Sequence, residues 1–149
     1  MGKRRLAREY ALQALYLADV ADMSPTDVYF VLDMAGCPVE AGSAAFAKSL
    51  VNKTFSGIKK FDALIQSCAH NWQVSRMASV DRCIMRMAAC EFMSTPETPA
   101  GVIIDEAIEL SKKFSTADSG RFINGVLDRL KEEQSRIHAT GGGTEDKQT

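Results

Sequence analysis

Histidine, tryptophan and proline are scarce in this 149-residue chain, with two, one and four residues respectively. Neither His70 nor His138 lies near a cysteine at a zinc-like spacing, so no metal site is expected. Cys37, Cys68, Cys83 and Cys90 form no C-x-x-C pair. They read as small buried hydrophobes of a reducing compartment. There is no glycine-rich phosphate loop, no G-x-S-x-G elbow and no H-E-x-x-H helix, which leaves no seat for a cofactor or for hydrolytic chemistry. No apolar run approaches the ~20 residues of a membrane span. The first residues are basic and amphipathic, unlike a signal peptide. The expectation is a cytoplasmic protein without membrane contact, and not an enzyme.

Hydrophobic residues make up 46% of the chain and charged residues 25%, ordinary values for one globular domain. The net charge is −1, but it is blocked along the sequence. Residues 1–8 hold four bases and no acid, and residues 9–47 hold six acids and no base. Residues 48–86 are again basic, and residues 87–111 hold five acids and no base. Such blocks can build a local positive face that the bulk charge hides.

The apolar pattern is helical throughout. Leu6, Tyr10, Ala14 and Leu17 predict a buried stripe on a helix over 3–22. Ser24-Pro25-Thr26-Asp27 is a helix start, and Gly36-Cys37-Pro38 ends that helix. Two further stripes run over Ser43–Ala69 (Phe46, Leu50, Val51 and Phe55, then Phe61, Leu64, Ile65 and Cys68), with a break at Gly57. A short connection carries Trp72. Ser79 is placed as the cap of the next helix, and Ser94–Pro99 as a loop. A helix over 100–114 follows, then a last one whose cap-like start pairs Ser115 with Asp118. The fold class is all-α, a single compact bundle of six to seven helices over residues 1–138. The Gly-rich stretch 139–149 is expected to be a disordered polar tail.

At about 100° per residue, Arg5, Arg8 and Tyr16 fall within about 80° of one another on the first helix, while Tyr10 points away. Arginines bind phosphates bidentately, and an aromatic on the same stripe can stack on an unpaired base. The plainer reading is a solvated helix start with a core tyrosine. Lys112, Lys113 and Arg121 bracket the start of the last helix, whose free N–H groups favour an anion. Asp118 there is first of all a capping acid. Asp81, Arg82 and Arg86 read as a solvated face, with Asp81 pairing locally. Met77, Met85, Met87 and Met93 read as core fillers, and Asp105, Glu106 and Glu109 as capping and solvated acids.

The segments R-R-L-A-R-E-Y-A-L-Q-A-L-Y (Arg4–Tyr16), N-W-Q-V-S-R-M-A-S-V-D-R-C-I-M-R-M-A-A-C-E-F (Asn71–Phe92), I-D-E-A-I-E-L (Ile104–Leu110) and R-F-I-N-G-V-L-D (Arg121–Asp128) resemble the NusB family of bacterial transcription antitermination factors. The resemblance is collinear from about Lys3 to Leu130. It implies an all-helical, non-enzymatic RNA-binding adaptor. Its partners would be the single-stranded boxA element of ribosomal-RNA transcripts, the ribosomal protein NusE and the RNA polymerase antitermination complex, with a homodimer as a further state. Carried over, Lys3, Arg4, Arg5 and Arg8 match the arginine-rich RNA-binding segment. Tyr16 and Asp81 match positions implicated in RNA or NusE contacts, with Arg82 beside Asp81 on the partner-facing side. Asp118 and Phe122 match the RNA-facing start of the last helix, although the spacing of Phe122 to Val126 also suits the core. Asp105 stands where the family has Asn, which is expected to alter a buried hydrogen bond. The competing class is a helical protein–protein adaptor with no direct RNA contact. On the RNA reading, about four neutralised phosphates give a log–log salt slope of roughly −3. Arg5→Ala and Arg8→Ala should each weaken RNA binding at little cost in melting temperature.

Overall fold

A computed structural model describes the backbone of residues 2–148 and the side chains of residues 2–136. Among these residues there are seven α-helices and no strand. They are α1 (Lys3–Ala21), α2 (Pro25–Met34), α3 (Ala44–Ser56), α4 (Ile58–Cys68), α5 (Ser79–Ser94), α6 (Ala100–Phe114) and α7 (Ala117–Gln148), with a 3₁₀ turn at Val74–Arg76 between α4 and α5. The polar tail expected over 139–149 falls on side chains outside the described residues.

Local chemistry sets most of the boundaries. The Ser24 hydroxyl accepts a hydrogen bond from the Asp27 N–H, with Pro25 at the first helical position, so α2 starts where its sequence predicts. Gly57 separates α3 from α4. A Cβ there would lie 2.6 Å from the Phe61 ring, too close for any other residue without displacing that buried side chain. Two expected caps fall elsewhere. Ser79 is already inside α5 and donates its hydroxyl to Asp19 rather than capping. α7 is capped by Thr116, whose hydroxyl accepts from the Ser119 N–H at 3.1 Å. Ser115 instead reaches back to Asp81.

α5 is the central helix and packs against α1, α3, α4, α6 and α7. Every residue from Cys83 to Glu91 is buried, the expected state of a helix enclosed on all sides. α1 comes close to its neighbours through a small-residue face, Ala7, Ala11, Ala14 and Ala18, all buried. The predicted Leu6–Tyr10–Ala14–Leu17 stripe therefore marks one flank of the buried face; Leu6 and Leu17 are only half-buried. Tyr10 stacks on Tyr29 of α2 with ring centroids 6.5 Å apart, and burial pushes the Tyr29 hydroxyl up to about 12. Val51, Ile65, Ile84, Met85, Met87, Ile103, Ile123, Leu127 and Leu130 complete the core. Met85 and Met87 fill it as expected, whereas Met93 is exposed. Cys68, Cys83 and Cys90 are buried, whereas Cys37 is exposed in the α2–α3 connection.

Candidate nucleic-acid interface

α1 opens on three consecutive cations, Lys3, Arg4 and Arg5, with no acid in its first turn and no side-chain cap. Positive charge at a helix N-terminus opposes the macrodipole, so these residues are not there to stabilise α1. Lys3 is exposed, its stem beside Gly42. The Arg4 guanidinium lies over the Phe46 ring, 4.4 Å from its centroid. That contact orients the side chain while leaving its outer edge in water. Arg5 makes a bidentate pair with Glu106 of α6, Nε to Oε2 at 3.1 Å and Nη2 to Oε1 at 2.9 Å. The hydrogen bond from Arg5 holds the Glu106 carboxyl below its ordinary range, and the same bond raises Arg5. With 43% of its side chain exposed, Arg5 remains reachable.

Arg8 is different, and the wheel misplaced it. It is 4% exposed and makes a bidentate pair with Glu91 of α5 at 3.0 and 2.7 Å. The angular spacing was sound, but the face it shares with Arg5 turns inward one helical turn later, where α1 meets α5. Arg8 therefore holds α1 on α5, and its guanidinium is not available to a phosphate in this arrangement. Tyr16, 40% exposed, lies on the outer side of α1, so it is not the core tyrosine of the plainer reading.

Lys112 is exposed and pairs with Glu109 at 3.3 Å. Lys113 donates to both oxygens of Glu9, at 2.8 and 3.0 Å, and so ties α6 to α1. Asp118 and Arg121 form an exposed pair on the first turn of α7. Arg5, Lys112, Arg121 and Asn124 line one groove of about 710 Å³ between α6 and α7. The structure thus brings Arg5 of the first cationic cluster beside Lys112 and Arg121 of the second. Asp105 also lines this groove and is exposed. The expected buried hydrogen bond at that position is absent among the described residues, because the side chain points out of the bundle.

Asp81, Arg82 and Arg86 are not a solvated face. Asp81 accepts hydrogen bonds from the Ser115 and Ser119 hydroxyls, each at 2.7 Å, and fixes the start of α7 on α5. Arg82 pairs with Asp19 of α1 at 2.7 Å and donates to the Val74 carbonyl at 3.2 Å. Arg86, 7% exposed, makes a bidentate pair with Asp62 of α4 at 2.7 and 2.8 Å. Burial pushes Asp19 up, but hydrogen bonds from Ser79 and Arg82 outweigh it and hold the carboxyl below its ordinary value. Asp81 and Arg82 are therefore positioning residues for the α1–α5–α7 junction. Sequence reasoning gave no role to Asp19, Glu91 or Trp72. The signal for Glu91 was readable: an ionised residue inside an apolar stripe requires a partner of opposite charge. Phe122 is half-buried and meets Trp72 edge-on, with centroids 6.0 Å apart. Among the described residues, no cluster of His, Cys, Asp or Glu could hold a metal ion, and no helix is long and apolar enough to cross a membrane.

The NusB family model matches residues 5–132. A transcription antitermination protein NusB of Elusimicrobium minutum is 44% identical over 135 residues, covering 90% of this chain and 96% of that protein. The corresponding protein of Symbiobacterium thermophilum is 46% identical over 131 residues, covering 83% of this chain and 86% of that protein. Among solved structures, NusB of T. maritima superposes with a TM-score of 0.77 at 28% identity, covering 89% of this chain and 92% of that one. A crystal structure of the antitermination factors NusB and NusE with double-stranded RNA gives a TM-score of 0.80 at 23% identity, covering 89% of this chain and 98% of that one. That last likeness is one of fold.

Proposed function

The chain belongs to the NusB family, and on that premise we propose that it is a transcription antitermination factor. In this reading it is a cytoplasmic protein that binds the boxA element of nascent ribosomal RNA together with NusE and promotes processive transcription by RNA polymerase. The mechanism is assembly, not catalysis. Lys3, Arg4 and Arg5 neutralise phosphates, Tyr16 offers an aromatic face, Lys112 and Arg121 extend the cationic surface along the α6–α7 groove, and Lys113 adds to it on the α1 side of α6. Arg8, Asp81 and Arg82 act one step removed, by fixing the helices that carry these groups. Binding of NusE and of RNA to one joint surface makes each tighten the other by the same factor. A homodimer through the α1 face would compete with RNA for the same cations.

The observation that carries this reading is the uncapped, acid-free basic start of α1, with Arg4 and Arg5 held in place yet open to solvent. Its test is an anisotropy titration of a labelled boxA-like RNA, beside a scrambled RNA, with and without NusE. Selective binding that tightens with NusE is expected. The salt slope should be roughly −2 if the first helix alone supplies three phosphate contacts, and roughly −4 if Lys112, Lys113 and Arg121 join. Binding with no salt dependence, or none at all, would leave the protein–protein adaptor as the reading.

A further inference from the structure

Trp72 is the one tryptophan of the chain, and it is 58% exposed. A large aromatic left mostly in water forgoes favourable burial, so its display requires a reason. The display is built, not loose. The Gln66 side chain donates to the Trp72 carbonyl at 2.7 Å and accepts from the Val74 N–H at 2.9 Å, clamping the backbone that leaves the ring. The Trp72 N–H bonds the Ala69 carbonyl at 3.2 Å. Asn71 supplies the turn in a left-handed conformation, φ 71°, which asparagine tolerates better than most residues. Arg82 holds the next residues through the Val74 and Ser75 carbonyls. The indole then rests edge-on against Phe122, forming a two-ring ledge between the α4–α5 connection and α7.

We infer that this ledge is a base-stacking platform for an unpaired RNA nucleotide, with Trp72 as a nucleic-acid contact that the basic helix does not provide. The inference rests on the RNA-binding reading above and extends it. Two observations favour RNA over another occupant. Residues 63–80 contain no acid while carrying the exposed Arg76, and Asp118, about one turn before Phe122 on α7, is engaged by Arg121. The ledge is also continuous with the proposed face. Arg82 links the Trp72 segment to Asp19, which lies one turn after Tyr16 on α1, and Tyr16 lies about 16 Å along the helix from Arg5. On the other side, Arg121, which directly precedes Phe122, lines the α6–α7 groove together with Arg5.

The single tryptophan makes intrinsic fluorescence a reporter of this one residue. Titration of the full chain with a boxA-like single-stranded RNA should quench that emission in step with anisotropy. Trp72→Ala should weaken binding roughly thirty-fold, the middle of the range for one base stacked on an aromatic ring. Trp72→Phe should recover most of it. The salt slope should not change, because no charge is removed. Since the ring is exposed, the thermal melt of both variants should match the parent and exclude misfolding. Unaltered affinity and unquenched emission, with the parent protein still binding RNA, would overturn the platform while leaving the RNA-binding reading intact. A loss confined to the NusE-dependent increment would make Trp72 a protein contact and would also overturn it. A parent protein that binds no RNA would overturn both.

Discussion

Arg5 and Arg8 lie three residues apart on α1, yet removing them has different consequences. Arg8 and Glu91 are a desolvated pair, 5% and 4% exposed at their side chains. Arg8→Ala strands a buried carboxylate, which costs about 3–5 kcal/mol and should lower the melting temperature by about 10 °C. The Arg5–Glu106 pair is partly exposed, so Arg5→Ala should lower the melt far less than Arg8→Ala while RNA affinity falls. The sequence expectation grouped the two arginines. Thermal unfolding of both variants beside RNA titration separates a holding residue from a contact residue. Replacing both members of the buried pair, Arg8→Met with Glu91→Leu, should recover most of the stability, because no charge is then orphaned. The cysteines make a second residue-scale point. Cys37 should react with a thiol reagent at once in the native protein. Cys68, Cys83 and Cys90 should react only as the chain unfolds. Burial raises Cys68 and pushes Cys83 up to about 11, which depletes the reactive thiolate.

At the scale of elements, α7 is the helix whose placement decides the candidate site, and it is set from two sides. Thr116 caps it, and Asp81 holds its first turn through Ser115 and Ser119. Thr116→Val should cost about 1 kcal/mol. Asp81→Ala, which removes two hydrogen bonds to a charged acceptor, should cost about 2 kcal/mol. Urea unfolding measures both. Native-state hydrogen exchange should also show faster exchange at residues 117–120 in Asp81→Ala than in Thr116→Ser, which keeps the capping oxygen. The number and order of helices were legible because their apolar spacing is strong. The caps were not. Ser79 and Ser115 satisfy the local capping pattern, but each hydroxyl finds a carboxylate on another helix, Asp19 and Asp81, which no local pattern reveals.

The whole molecule is tied together by cross-helix ion pairs: Arg5–Glu106, Arg8–Glu91, Lys113–Glu9, and Arg82 and Arg86 on Asp19, with Arg86 also on Asp62. Asp19 and Glu106 both titrate below their ordinary values. A carboxyl depressed in the folded state stabilises it fully above its unfolded pKa, about 4, and loses that contribution as the pH falls through the folded value. The melting temperature should therefore be flat from neutral pH down to about 5 and fall steeply below about 4. Asp19→Asn should lower stability at neutral pH and flatten this acid limb. A parent whose melt is unchanged down to pH 3 would contradict the assignment.

The sequence alone determined the all-helical class, most of the core and the two clusters of cations, because periodicity and charge blocks are properties of near neighbours along the chain. It also carried the family resemblance, through segments distributed from Arg4 to Asp128. Only the tertiary structure decided which cations face water. Arg8 and Arg86 look like surface arginines until Glu91 and Asp62 arrive from helices remote in sequence. The same holds for Asp105, which packing turns outward, and for Trp72, which a glutamine clamp holds in solvent. Whether a charge or an aromatic ring is buried depends on contacts between distant segments, and those exist only once the helices have packed.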